Sequence, residues 1–552
     1  MEKKRSVDDD AEQKFRKRFK GRFLANSTSA LQCHEDFKLS QEAGARGSED
    51  LLNTKPGKHS KRDLLNTCLR DNEWPGLYWG QIPLMDLQTK GTKMTWVPFL
   101  WPHEWLPLYV KQKGATADLE VDEPELLSRL NSTASDLQVP FLVPLGLHGD
   151  GVPIGGNMTP DSLECFNLNM ISSSKHSHLR IPFVCMQLKH CLPQETFDAI
   201  VKVLCWSMKA LAAGKKPTCR HDGSAWRPSD KGRIVKPGES FLGVQAVLAE
   251  LRGDWIWLQK LLKFPTWNTK EGLCWLCKCC PADMCVLDSS NASWRFQRLL
   301  PGEFLERCRQ QGKPVNELFS LPGVAAEIVY PDWMHSGDLG VGQDVAGHTL
   351  QETLRRFPGS NDKQRCANLW SFLQEWYKDN GVEADRRIQT LHLKDFQRDK
   401  QPDKLRCKAA HTRTLVPFLP VLARHLAPDT ERARAVIATA DCLADCYKLM
   451  EQAPCQALAQ ASRKLANSYC ALRDLALDLG THAWHVKPKL HLFQELCEFS
   501  SRCPRDFWCY KDETFGNVCA GFGRRKGGRD HPGHNTKNLL LAWCCSEPLP
   551  RP

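Results

Sequence analysis

The sequence predicts a mixed α/β fold joined to a long helical block, behind a charged N-terminal tail. Three observations predict it. Residues 141–265 hold apolar runs of strand length around one helical run. Beyond about residue 300, apolar residues recur at spacings of three and four. Residues 1–70 are rich in charge, Ser, Asn and Gly and poor in periodic apolar residues, so a disordered tail is expected there. With 552 residues the chain is too long for one ordinary domain, and two to four are expected.

Within the tail, Lys14-Phe15-Arg16-Lys17-Arg18-Phe19-Lys20-Gly21-Arg22 places six basic residues in nine. It reads either as a nuclear-import signal or nucleic-acid arm, or as a solvated charged run. Residues 71–140 form an aromatic and proline-rich extension, with "WPGLYWGQIPLMDL" and "WVPFLWPHEWLPLYV". They can pack but show no chemistry. In the α/β part, Phe141–Leu147 and Ile181–Leu188 read as strands, and Phe197–Ala213 as a helix stopped by Gly214. The segment "FLGVQAVLAELRGDW" is a third apolar run that ends at Asp254.

Residues 266–500 are expected to be mostly helical with a cysteine-rich start. Val436, Ala440, Leu443, Tyr447 and Met450 form one stripe. Leu458, Leu465, Leu472, Leu475 and Leu479 form another, with Gly480 as its stop. Residues 501–530 carry a further helix, and 531–552 read as a tail.

The composition is mildly basic, with a net charge of +11 and a pI near 8.7. That permits a polyanionic partner without demanding one. No apolar core follows the first charges, as a secretory signal would need, and no run of about 18 apolar residues suits a membrane span. The 25 cysteines are scattered, so free thiols and one metal site are expected in preference to a disulfide framework.

Three places carry candidate chemistry. Asp150 follows an apolar run in "LHGDGVPI", where Gly-Asp-Gly also suits a hairpin tip. Asp254 follows another run, and Glu513 lies in "YKDETFG". Carboxylates from such positions can hold two divalent ions that activate a hydroxyl and stabilise a leaving phosphodiester oxygen. Second, Cys274 and Cys277 form a CxxC, one half of a tetrahedral zinc site, with His335 as a candidate partner by pattern. A reduced thiol cluster explains the same residues. Third, Asp332, His335 and Asp338 in "YPDWMHSGDLGVGQD" occur at i, i+3, i+6. A helix would put them on one face, but the glycines favour a polar hinge.

The order of these motifs resembles cut-and-paste DNA transposases of the CACTA and KDZ groups, which share with hAT transposases a long helical insertion. The resemblance covers residues 140–525. It rests on Asp150, on Asp254 followed by Cys274 and Cys277, on Asp332, Met334, His335, Leu339 and Gly340 as D-x-M-H-x-x-x-L-G, on Lys489 and His491 as K-x-H, and on Glu513. It implies an RNase H-like catalytic domain interrupted by a large α-helical insertion. It also implies a DDE triad of Asp150, Asp254 and Glu513 holding Mg²⁺ or Mn²⁺, with Asp512 or Glu495 as alternatives for the third acid.

DNA would be the partner, the nucleus the location, and no membrane is involved; a homo-oligomer is compatible. Arg16, Lys17, Arg18, Arg524, Arg525 and Lys526 would meet phosphates. One departure stands out: no paired Cys/His ladder of a zinc-binding recognition module precedes residue 140. An inactive, transposase-derived DNA-binding protein, or a zinc-stabilised interaction protein, is therefore the rival expectation.

Overall fold

The computed structural model describes residues 74–546 apart from 114–120, 156–160, 172–178, 237–238, 265–273, 284–291, 301, 313–314, 398–402 and 526–530. The expected tail at 1–70, with Arg16, Lys17 and Arg18, lies outside the described residues, as do Lys526 and the side chain of Arg525. The fold is mixed α/β and divides into two units. The first comprises the chain up to Leu251, Asn316–Val324 and the chain from Lys511. The second comprises Arg252–Val315 and Ala325–Tyr510.

The first unit opens with an antiparallel hairpin, β1 (Tyr78–Met85) and β2 (Thr92–Phe99), in the register Tyr78↔Phe99. The tryptophans after it are core: α1 (Pro102–Lys113) buries Trp105, and Trp101 just before it is equally enclosed. Glu123 caps α2 (Pro124–Asp136) by accepting from the Leu126 N–H, with Pro124 in the first turn where its missing N–H costs nothing.

A four-stranded sheet follows, made of β3 (Val143–Pro153), β4 (Ser162–Met170), β5 (Arg180–Gln187) and β6 (Ala246–Gly253), in the order β5-β4-β3-β6. The first three are antiparallel, with Asp150 opposite Cys165 and Cys165 opposite Cys185. β3 and β6 start level, Val143 N–H donating to Gln245 C=O, and further along Gly146 lies against Glu250. Both strands advance together, so the pair is parallel. That geometry needs a crossover, which α3 (Glu195–Ala213) supplies, ending at Gly214 with φ 66°.

Two expectations change here. β3 does not end at Leu147. It runs through Asp150 to Pro153, so Gly149-Asp150-Gly151 is strand and not a hairpin tip. And β4 has no counterpart in the apolar pattern, because Glu164, Asn167 and Asn169 are buried within it.

The second unit is largely helical. Its elements are α4 (Trp255–Leu262), α5 (Glu303–Gln310), a π-helical segment (Met334–Gly342), α6 (Gln343–Leu354), α7 (Asp362–Asp379), α8 (Ala409–Leu415), α9 (Leu419–Arg424), α10 (Glu431–Leu449), α11 (Gln456–Asp478), α12 (Pro488–Phe499) and α13 (Pro504–Phe507). α10 packs on α11 and α11 on α12, burying Val436, Ala440, Leu443, Leu458, Leu465 and Leu472 in one core. The second stripe turns inward at Ala476, not at Leu475 or Leu479; Leu479 is the C-cap beside Gly480.

The chain then returns to the first unit along α14 (Tyr510–Arg525) and ends its described part in α15 (Pro532–Ser546). A tail is expected at 531–552, yet α15 buries Leu539, Leu540, Trp543 and Cys544 and packs on β2 and β5. Thr536 Oγ1 donates to Cys185 C=O at 2.8 Å, which fixes its seat.

Candidate functional site

Of the three carboxylates, Asp150 and Glu513 belong to the first unit and Asp254 to the second. Alternate strand residues share a face, so Asp150 sits beside His148 and Val152. That face looks at α14. A Cβ on Gly516 would come within 2.7 Å of Val152 Cγ2, an approach that only glycine allows. His148 Nδ1 pairs with Asn167 Oδ1 at 3.1 Å, and Asn167 Nδ2 reaches Asp512 Oδ1 at 3.4 Å. Glu513 precedes Gly516 by three residues and shares its side of the helix. Asp150 and Glu513, both half-buried, thus come to facing surfaces of β3 and α14.

The neighbouring Asp512 is fully buried and ion-paired with Arg180. It anchors the helix start to β5 and is committed to structure. Arg524 remains exposed at the far end of α14, where it donates to Pro153 C=O at 3.2 Å.

In the second unit, residues far apart in sequence line one cavity of about 480 Å³. Asp254, Asp332, His335, Asp344, Lys487 and Lys489 all reach it, with Trp255 and Trp275 as apolar wall. Asp254 caps α4, one oxygen accepting from Trp257 N–H at 2.6 Å. Asp332 is held from three sides: by His335 Nδ1 at 2.7 Å, His335 N–H at 2.9 Å and Cys509 N–H at 2.8 Å. Burial pushes its pKa up, but the His335 hydrogen bonds and charge outweigh it and hold it below the usual range.

Lys487 pairs with Asp344 at 2.7 Å. Burial lowers the pKa of Lys489, opposed by the charges of Asp344 and Asp254. Its stem lies in a groove of the π-helical segment, where a Cβ on Gly340 would sit 2.9 Å from Lys489 Cδ. π-Helical geometry is rare overall but frequent at functional sites; this segment spans nine residues and is kinked at Gly340. Asp338 does not share the cavity. It is buried between Arg413 (2.8 Å) and Tyr510 Oη (2.9 Å), so the i, i+3, i+6 face does not form.

The CxxC has found its partners. Cys274, Cys277, His491 and Glu495 are all buried and each offers a ligand atom within 4.8 Å of the others, a group that could hold a metal ion. His335 is not among them; its Nδ1 pairs with Asp332 instead. The histidine at the cysteines is His491, the His of K-x-H, 214 residues beyond Cys277. Glu495, one helical turn later on α12, joins it and is gripped by Arg298 Nη1 at 2.7 and 2.9 Å. Glu495 is therefore no candidate for the third acid.

A second cluster, Cys165, Cys185 and Cys519, gathers three buried sulfurs from β4, β5 and α14 in the first unit. Nothing in its spacing announces it. The His491–Glu495 pair had a readable signal, an i, i+4 placement behind Lys489.

No family model matches the chain, and no curated protein matches it.

Proposed function

We propose that this is a transposase-like protein that cleaves and joins DNA with divalent metal ions. One observation carries the reading. Asp254, the Asp332–His335 pair and Lys489, each singled out by its own motif, line one cavity of the second unit. A carboxylate, a lysine of lowered pKa and a histidine–carboxylate pair in an apolar wall suit phosphodiester chemistry.

The order β5-β4-β3-β6, with a parallel β3–β6 pair joined through α3, is compatible with the RNase H-like core the resemblance implies. In this reading Asp150 and Glu513 are the acids of the first unit and Asp254 that of the second, each an oxygen ligand of the kind Mg²⁺ or Mn²⁺ prefers. Asp254 keeps one oxygen for its helix cap, leaving the other for a ligand. Bound metal would supply charge neutralisation at the phosphate. Lys489 would hold a phosphate oxygen, and His335 with Asp332 would place a proton donor or acceptor beside it.

For the second centre we assign zinc. Tetrahedral zinc with its usual bond lengths sets ligand separations of about 3.6 Å for S–N, 3.4 Å for N–O and 3.6 Å for S–O. Cys277 Sγ–His491 Nε2 is 3.5 Å, His491 Nε2–Glu495 Oε1 3.4 Å and Cys274 Sγ–Glu495 Oε1 3.6 Å. The Leu276 N–H donates to Cys274 Sγ at 3.3 Å, which would stabilise a thiolate there.

The test is Mg²⁺-dependent nicking of a plasmid carrying the genomic sequences that flank the coding region. Wild type should nick it. Asp150→Asn, Asp254→Asn and Glu513→Gln should bind but not nick. Equal nicking by all four proteins would expose a contaminating nuclease and sink the enzymatic reading. Binding without nicking by wild type would favour the inactive, DNA-binding rival.

A further inference from the structure

The first unit carries a groove of about 1,240 Å³ that no motif announces. It runs between α1 and the connection from Gly214 to Gly243, which leads from α3 to β6. Its lining includes Lys111, Lys216, Lys231, Arg233 and Lys236, against Glu104 and Glu239. Arg233 and Glu104 neutralise one another through two hydrogen bonds of 2.6 and 2.9 Å. Lys111, Lys216, Lys231 and Lys236 make no ion pair among the described residues. The groove therefore keeps a positive surplus.

The described parts of the connection are held in place by named contacts. Arg220 is buried in an ion pair with Asp230 and also donates to Trp79 C=O on β1. His221 Nδ1 meets Tyr78 Oη at 2.6 Å. At its two ends Lys216 N–H donates to Ser240 C=O at 2.7 Å, Leu242 N–H to Gly214 C=O at 2.8 Å, and Lys215 bridges to Phe241. Phe241 is thus fixed in backbone yet 67% exposed, and Ile234 is 52% exposed. Trp226 completes the wall.

We infer that this groove binds single-stranded nucleic acid. At about 1,240 Å³ it is larger than the roughly 300–1,000 Å³ of small-molecule sites and has room for an extended ligand. Four unpaired lysines call for a polyanion. A fixed aromatic face standing free in a cationic groove suits an unstacked base, and duplex bases could not reach it. The choice of nucleic acid over an acidic peptide rests on the DNA reading above; the cationic groove does not.

The test is fluorescence anisotropy of a labelled twelve-nucleotide oligothymidylate on the full chain in EDTA, so that no metal chemistry intervenes. Lysines on a single strand lower the slope of log K against log salt by about 0.7 each. Lys216→Ala with Lys231→Ala should therefore reduce it by about 1.4. Phe241→Ala should weaken binding about 5- to 150-fold, the range of one lost base stack, and leave the slope unchanged. Phe241→Trp should retain binding, and an abasic oligomer should bind wild type no better than the alanine variant does.

An unchanged slope in the lysine pair, or no effect of Phe241→Ala, overturns the inference. So does a polyglutamate of equal charge competing as well as the oligonucleotide, which would make the occupant an acidic peptide. Asp150→Asn, Asp254→Asn and Glu513→Gln should bind the strand normally. If wild type nicks DNA but these groove substitutions leave strand binding intact, the groove alone fails. If the groove binds and nothing nicks, the catalytic reading alone fails.

Discussion

Titrating free zinc over chelator-stripped protein should raise the melting temperature of the second unit in proportion to the logarithm of zinc. The ligands are four buried side chains drawn from a loop and a distant helix, so an ion that binds them favours the folded state. Above the dissociation constant, each tenfold rise in free zinc adds about 1.4 kcal/mol. The unit spans Arg252–Val315 and Ala325–Tyr510, 64 and 186 residues, 250 together. A domain of that size gains about 2–4 °C per kcal/mol, so the shift should be about 3–6 °C per decade.

Differential scanning calorimetry across four decades of buffered zinc, with elemental analysis of the purified protein, reads it directly. Cys277→Ser, which leaves three ligands, should flatten the response over the same range. A melting temperature independent of zinc, with no metal bound, would refute the centre and leave a buried polar cluster.

Three further outcomes are expected. In chelator, burial opposes the charge on His491, but Cys274 and Glu495 outweigh it and push its pKa up to about 9. Burial likewise opposes the Glu495 charge, yet His491 and Arg298 hold it down at about 2. The His491 contribution is present below about pH 6.5 and lost as pH rises through 9; that of Glu495 is present above about 4.5 and lost as pH falls through 2. Metal-free protein should be most stable in urea titrations between about pH 4.5 and 6.5, and a stability that climbs from pH 7 to 9 would contradict this.

Asp512→Asn breaks a buried pair from one side and should cost about 3–5 kcal/mol in urea titrations, whereas the half-buried Glu513→Gln should cost about 0.5 kcal/mol; similar losses would undo the separation of their roles. Gly340→Ala meets Lys489 Cδ at 2.9 Å and the His335 carbonyl at 3.1 Å, so it should cost about 1–3 kcal/mol, and a neutral effect by the same measurement would show that the π-helical segment yields.

Much of the helical architecture was legible because burial there follows period. Leu458, Leu465 and Leu472 point inward as their spacing requires. β4 was hidden because its strand buries Glu164, Asn167 and Asn169, which read as loop residues when taken singly. The strand through Asp150 is hard to read, since Gly-Asp-Gly taken alone has good turn chemistry and nothing local says that β4 will pair across it. The CxxC was visible, but its partner lay 214 residues away and chain spacing ranks no histidine at that range. α15 was lost to its position: "NLLLAWCC" is apolar enough for core, and nearness to the end of the chain suggested otherwise.

The route of the chain has a consequence in time. β6 ends at Gly253 and α14 starts at Tyr510, so the helix that covers β3 and β4 is made only after the second unit. At the usual synthesis rate of about 5–20 residues per second, that interval is roughly 13–50 s. Throughout it, the surface around Val152, Asn167 and Cys165 has no α14 to bury it. A nascent chain in this state leaves Val152, Cys165 and Asn167, all buried in the finished fold, open to solvent, the kind of unfinished surface that holding chaperones protect. Expression yield should therefore respond to chaperone supply and to translation speed between residues 254 and 510 more than to changes in the finished fold.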